Sequence, residues 1–170
     1  MGENPNNTEI NLTLTELARV GDHSGVFVDA LYGWRTDKRG RRDRTLSLMI
    51  EIDEQTSYGA RFVIEAHYVL NTKGSKKLRQ DALDFDSTLA PAALKTFNPY
   101  SFFVSKPCEA TVGHTSEGGR TVARAIKYQP AGETKLTPSG KYVRPESAQP
   151  AAHAAAHGKA EQPAQPPTTA

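Results

Sequence analysis

Six cations stand within ten residues of this chain: Arg35, Lys38, Arg39, Arg41, Arg42 and Arg44, opposed only by Asp37 and Asp43 in the stretch GWRTDKRGRRDR. Arginine outnumbers lysine five to one there, and a guanidinium can pair with phosphate bidentately and also stack on a flat ring. Trp34 lies inside the run and Tyr32 just before it; His67 and Tyr58 are further ring candidates, and Arg120 is a cation in the later loop TSEGGR. Cations that track phosphates and rings on which bases stack are the two things single-stranded nucleic acid asks of a protein. The local balance of +4 in the run matters more than the formal +2 of the whole chain, because charges aimed at one place create a local positive potential.

Plainer readings stand beside this one. A charge run such as KRGRR also suits a solvated loop, and a lone tryptophan beside a strand also suits packing at the end of a core. His67 faces outward by strand parity, as an ordinary solvent-facing histidine would. Glu51 and Glu65, on the same outward parity, oppose phosphate. Other chemistry has little support: there is no phosphate-binding loop, no nucleophile elbow and no cysteine–histidine metal spacing. The single cysteine, Cys108, excludes an internal disulfide and a cysteine-based zinc site. No enzyme activity, metal or cofactor is therefore expected. His153 and His157, in AAHAAAHGKA, belong to a low-complexity segment.

The elements that must position these residues alternate plainly. GVFVDALY, Gly25 to Tyr32, reads as the first clear strand, and Gly33 to Arg44, with two glycines and eight charges, reads as a loop. Thr45 to Asp53 alternates Leu46, Leu48, Ile50 and Ile52 against Ser47, Met49 and Glu51. Ala60 to Leu70 alternates Phe62, Ile64, Ala66, Tyr68 and Leu70 against Arg61, Val63, Glu65, His67 and Val69. Period-two runs joined by a six-residue turn form a hairpin with one buried face. Ser75 predicts the cap of a helix to Asp86, with Leu78, Ala82 and Phe85 on its inner face. Ala90 to Phe97 suggests a short second helix that Asn98-Pro99 ends. Pro107 to His114 and Thr121 to Tyr128 are two more strands around Gly118-Gly119. In the last of them, parity alone leaves open whether Arg124 faces in or out.

Five strands with a helix between strands 3 and 4 predict an all-β fold, a five-stranded OB-fold-like barrel; an SH3-like barrel would leave the helix without a place. The expected division is a polar N-terminal arm over 1–20, in which Leu12 and Leu14 could add a strand, a barrel over 21–130, and a disordered tail over 131–170. From Gln129 onward, 42 residues hold 7 of the 11 prolines and 10 alanines, a composition that cannot offset its ordering entropy by burial. Removal of Gln129–Ala170 is therefore expected to leave the domain folded. No apolar run is long enough to span a membrane, so the chain reads as soluble and cytoplasmic. Oligomeric state is not legible.

The stretch GVFVDALYGWRTDKRGRRDRTLSLMIEID, then the helix, then KPCEATVGHTSEGGRTVARAIKYQPA, resembles phage-encoded OB-fold single-stranded-DNA-binding-like proteins over Gly21 to Ala131. The resemblance implies sequence-independent coating of single-stranded DNA, or of RNA, in DNA replication or recombination within an infected bacterial cytoplasm. Binding would fall to Tyr32, Trp34, Arg35, Lys38, Arg39, Arg41, Arg42, Arg44, His67 and Arg120. Bacterial proteins of that kind typically end in an acidic partner-recruiting tip, whereas this chain ends EQPAQPPTTA. Two other classes stay open: a barrel that contacts or inhibits a replication or recombination protein, and a minor virion structural protein.

Overall fold

The computed structural model describes residues 16–146 and the backbone of 149–150. Leu12, Leu14, His153, His157 and most of the expected disordered tail lie outside the described residues. Five long strands carry the fold: β1 (Gly21–Thr36), β2 (Arg42–Gln55), β3 (Arg61–Val69), β4 (Pro107–Glu117) and β5 (Arg120–Pro130). Between β3 and β4 lie α1 (Thr72–Phe85), a 3-10 turn (Pro91–Thr96) and α2 (Pro99–Phe103). A two-residue β6 (Gln149–Pro150) pairs with Leu31 and Tyr32 of β1.

The pairing runs β1-β2-β3-β5-β4 and returns to β1, antiparallel throughout except for the parallel β3–β5 contact. The sheet is thus a closed five-stranded, OB-fold-like barrel, and closure removes the edges that a flat sheet would expose. β1 serves both β4 and β2, so its bend is sharp. A bulge between Phe27 and Asp29 supplies the bend. Gly25 makes the crossing possible: a Cβ there would come within 2.9 Å of the Ile50 side chain and 3.2 Å of the Cys108 sulfur.

The period-two reading of the hairpin holds. Leu46, Leu48, Ile50 and Ile52 are fully buried, as are Ile64, Ala66 and Tyr68 of β3, while Met49 and Val63 are only half-buried. α1 closes one end of the barrel with Leu78, Ala82 and Phe85, and Phe27, Phe85, Phe103 and Tyr128 meet edge-on beneath it. The Tyr68 and Tyr128 hydroxyls share a hydrogen bond of 2.7 Å, and Tyr68 donates to Asp81 of α1 at 2.7 Å. Burial, above all, raises the pKa of both phenols. Cys108 is buried as expected, and burial pushes its thiol up to about 12.

Several expectations need correction. The helix begins at Thr72 and is capped by Asn71, whose side chain accepts from the Gly74 N–H, so Ser75 lies inside the first turn. Ala90 to Phe97 forms only a 3-10 turn, and Asn98-Pro99 starts a helix rather than ending one. The Asn98 side chain accepts from Tyr100 and Ser101, and a proline suits the first helical position because no N–H is needed there. A second bulge places Ile126 as the extra residue opposite Thr111 and Val112, so Ala125 and Tyr128 both face inward and Arg124 faces out.

Residues on both sides of 21–130 also contact the barrel. Residues 16–20 are pinned to the barrel: Glu16 accepts from the Ser57 N–H, Arg19 pairs with Glu54, and Ala18 is fully buried. At the other end, residues 131–146 continue as a strap, with Ser139 on Glu51 and Arg144 on Asp29. Hydrogen bonds, with only two half-buried large apolar side chains, Leu136 and Tyr142, hold this segment, which is why composition did not reveal it.

Two stability outcomes follow, read by chemical denaturation. Leu48→Ala or Ile64→Ala will cost about 2–5 kcal/mol through lost burial and a cavity, and Met49→Ala or Val63→Ala clearly less. A chain ended after 146 will keep its midpoint, whereas one ended after 131 will lose stability, because Asp29 and Glu51 then lose their strap donors.

Candidate nucleic-acid interface

The stretch expected to be a loop is mostly strand. Trp34 pairs with Arg44, Arg35 with Asp43 and Thr36 with Arg42, so β1 and β2 run out past the barrel as a two-stranded ribbon and only 37–41 remain as its turn. Asp37 builds that turn. Its carboxylate accepts the N–H groups of Arg39 and Arg41, each at 2.9 Å, and its own N–H donates to the Arg41 carbonyl at 2.8 Å. Gly40 sits at φ 77°, where a side chain would be strained. The Arg41 N–H is the main reason the Asp37 carboxyl lies below its ordinary pKa.

The two acids of the ribbon are both spent on one cation. Arg41 lies 3.4 Å from the Asp37 carboxylate and 3.5 Å from that of Asp43. Arg35, Lys38, Arg39, Arg42 and Arg44 make no ion pair among the described residues. The turn therefore keeps most of the positive charge that the sequence placed there.

The rings sit on one face. Pairing puts Tyr32, Trp34, Arg42 and Arg44 on the side that continues the inward parity of Leu46, beyond the point where the barrel core ends. The Arg42 guanidinium lies 4.6 Å from the Trp34 ring centroid and that of Arg44 lies 4.0 Å from Tyr32. Trp34 is 61% exposed, so it does not cap the core. Such cation–ring contacts are worth about 0.5–1 kcal/mol at exposed sites, enough to order the arginines while leaving their N–H edges free.

Arg35 and His67 fall on the opposite, outer face, where the row Leu31, Ser47, His67 crosses three strands. His67 Nδ1 is 2.9 Å from Glu65 Oε1, to which the Ser47 hydroxyl also donates. Serine and carboxylate thus meet the same ring nitrogen, and the serine hydrogen-bonds the carboxylate directly. A catalytic serine–histidine–acid relay uses the two nitrogens separately, so this cluster is not one. The other Glu65 oxygen pairs with Arg124, which also grips Glu117 at 2.6 Å.

The expected site is thus divided. Tyr32, Trp34, Arg42 and Arg44 come together; Lys38, Arg39 and Arg41 form the turn; Arg35 and His67 lie on the outer face; and Arg120 lies on a different hairpin, opposite Glu117. The two carboxylates expected to oppose phosphate are both engaged, Glu65 by Arg124 and Glu51 beneath the strap. Ser47 and Arg124 belong to the face and were not singled out from sequence. A bulge at Ile126, which no residue type announces, decides where Arg124 points.

Burial lowers the His67 pKa, Arg35 pushes the same way, and Glu117 only partly opposes them. Glu65 does not reverse the direction, because Arg124 already neutralises it. A histidine depressed on folding gives stability that is complete above its unfolded value, about 6.5, and that is lost as pH falls through that value to the lower folded one. An NMR titration will place the His67 midpoint below 6.5, and His67→Asn will flatten the stability profile in that window. A midpoint above 6.5 would show that the carboxylates dominate.

No family model matches the chain, and a search of curated proteins finds no match. The reading of this face rests on its own geometry.

Proposed function

We propose that the chain is a non-enzymatic protein that binds single-stranded DNA without sequence preference through the β1–β2 ribbon and the adjoining outer face of the barrel, and that it serves DNA replication or recombination. One observation carries the reading. Two aromatic rings and five cations without carboxylate partners among the described residues share a single ribbon on an OB-like barrel. Ligands of such barrels lie across strands two and three beside the loop joining strands one and two, which is where this ribbon rises. Bases offer a flat face whatever their identity, and no acceptor arranged to read a base edge is needed. Among the described residues no helix is long and apolar enough to cross a membrane.

Trp34 is the only tryptophan in the chain, so its fluorescence reports the site directly. Oligothymidine will quench it. With three to five cations neutralising phosphates at about −0.7 each, the slope of log affinity against log salt will be about −2 to −3.5. Lys38, Arg39 and Arg42 changed together to alanine will flatten that slope; Arg41 is left out because its acids already hold it. Trp34→Ala, read by polarisation, will lose about 1–3 kcal/mol for the base it stacks and leave the slope nearly unchanged. No binding to a long oligothymidine at low salt would overturn the reading and make the ribbon a surface for protein contact.

A further inference from the structure

Beyond β5 the chain crosses the outer surface of β3, β2 and β1 in that order, and one polar clasp holds it at each strand. Arg61 of β3 donates to the Thr137 carbonyl at 2.7 Å. Glu51 of β2 accepts the Ser139 N–H at 2.8 Å and its hydroxyl at 2.6 Å. Asp29 of β1 accepts from Arg144 Nε at 2.7 Å and Nη2 at 2.8 Å. Glu51 and Asp29 are each 1% exposed. Carboxylates that deep persist only when hydrogen-bonded, and the strap brings two donors to each. Its grip is mainly polar: Val143 is 82% exposed, and Leu136 and Tyr142 are the large apolar side chains of the strap that are half-buried.

Register shows what the strap leaves open. Asp29, Met49, Glu65 and Arg124 form one row across four strands, and the strap lies at that row on β1 and below it on β2 and β3. In the next row Ser47 and His67 are not clasped by residues 137–146, and the chain beyond them meets that row only at the β1 edge, where β6 pairs with Leu31 and Tyr32. The part of the ligand face far from the ribbon is therefore already occupied, by the chain itself.

We propose that residues 137–146 set the length of single strand one barrel engages, by filling the distal half of the β1–β2–β3 face and confining nucleic acid to the ribbon and the Ser47–His67 row. The proposal rests on the reading of the barrel as a single-strand binder. Barrels of this type take about 4–16 nucleotides, and half a face assigns the short end of that range. The two acids beneath the strap make the division one of charge as well as space. If the strap left while Asp29 and Glu51 stayed ionised, the uncovered half would repel phosphate.

The test uses the full chain and oligothymidines of increasing length, read by polarisation. Wild type will reach its limiting affinity at about 4 nucleotides. Asp29→Asn with Glu51→Gln removes the two acids that hold the strap at β1 and β2 and leaves Arg61, the ion-pair partner of Glu51, as the charge of the uncovered half. That variant will bind the shortest oligomer as wild type does, will keep gaining affinity to about twice the length, and will bind long oligomers about tenfold more tightly. Faster tryptic cleavage after Lys141 reports release of the strap independently of DNA. The same readings on a variant that also carries Arg61→Ala, Ser139→Ala and Arg144→Ala, so that side chains of all three clasps are removed, guard against residual attachment. Identical length profiles with the strap released would overturn the proposal and leave single-strand binding intact. Absence of binding at every length in wild type would overturn both.

Discussion

Closure of the barrel depends on the narrowest of its seams. β3 and β5 are parallel neighbours joined at Glu65 and Arg124, and the same two residues are joined again through their side chains on the outer surface. On the ribbon side of that point the strands part, and the gap is lined by the Tyr68–Tyr128 hydroxyl pair and Asp81 from α1. Removing Arg124 leaves Glu65 with no cationic partner but His67, whereas removing Glu65 leaves Arg124 its second carboxylate, Glu117. The seam also sets the charge of the outer face: Arg124 cancels that of Glu65, which orients Ser47 and His67 at the same time.

On either side of this seam the barrel carries two chemistries. Toward the ribbon, arginines stack on rings and keep their donors outward, and the turn acids are confined to Arg41. Away from it, two deep carboxylates are matched by a backbone amide, a hydroxyl and a guanidinium from the same chain. Positive potential is therefore concentrated at one end of the barrel although the net charge of the chain is small.

The barrel was legible because burial imposes period two on β2 and β3 and because a helix between the third and fourth strands leaves few topologies. The candidate site was half legible. Composition marked the basic run and its rings but treated glycines and charges as a loop, whereas Asp37 and Gly40 need only five residues to turn the chain and the arginines pair across strands. Arg124 was undecidable because one extra residue at Ile126 shifts the parity of everything after it. The strap was invisible for a different reason. Its attachment consists of a few hydrogen bonds to residues 76–115 positions away, and no local pattern encodes those.

The burial of Cys108 behind Gly25 has a practical side. The thiolate, not the thiol, is the reactive form, and a thiol raised to about 12 is almost wholly protonated at neutral pH. The chain contains no other cysteine. A single cysteine introduced at the exposed ribbon turn would thus be the one group to accept a maleimide dye or spin label. The native sulfur could remain where it fills the space between β1 and β4, so distance measurements could be made on a protein whose core has not been altered.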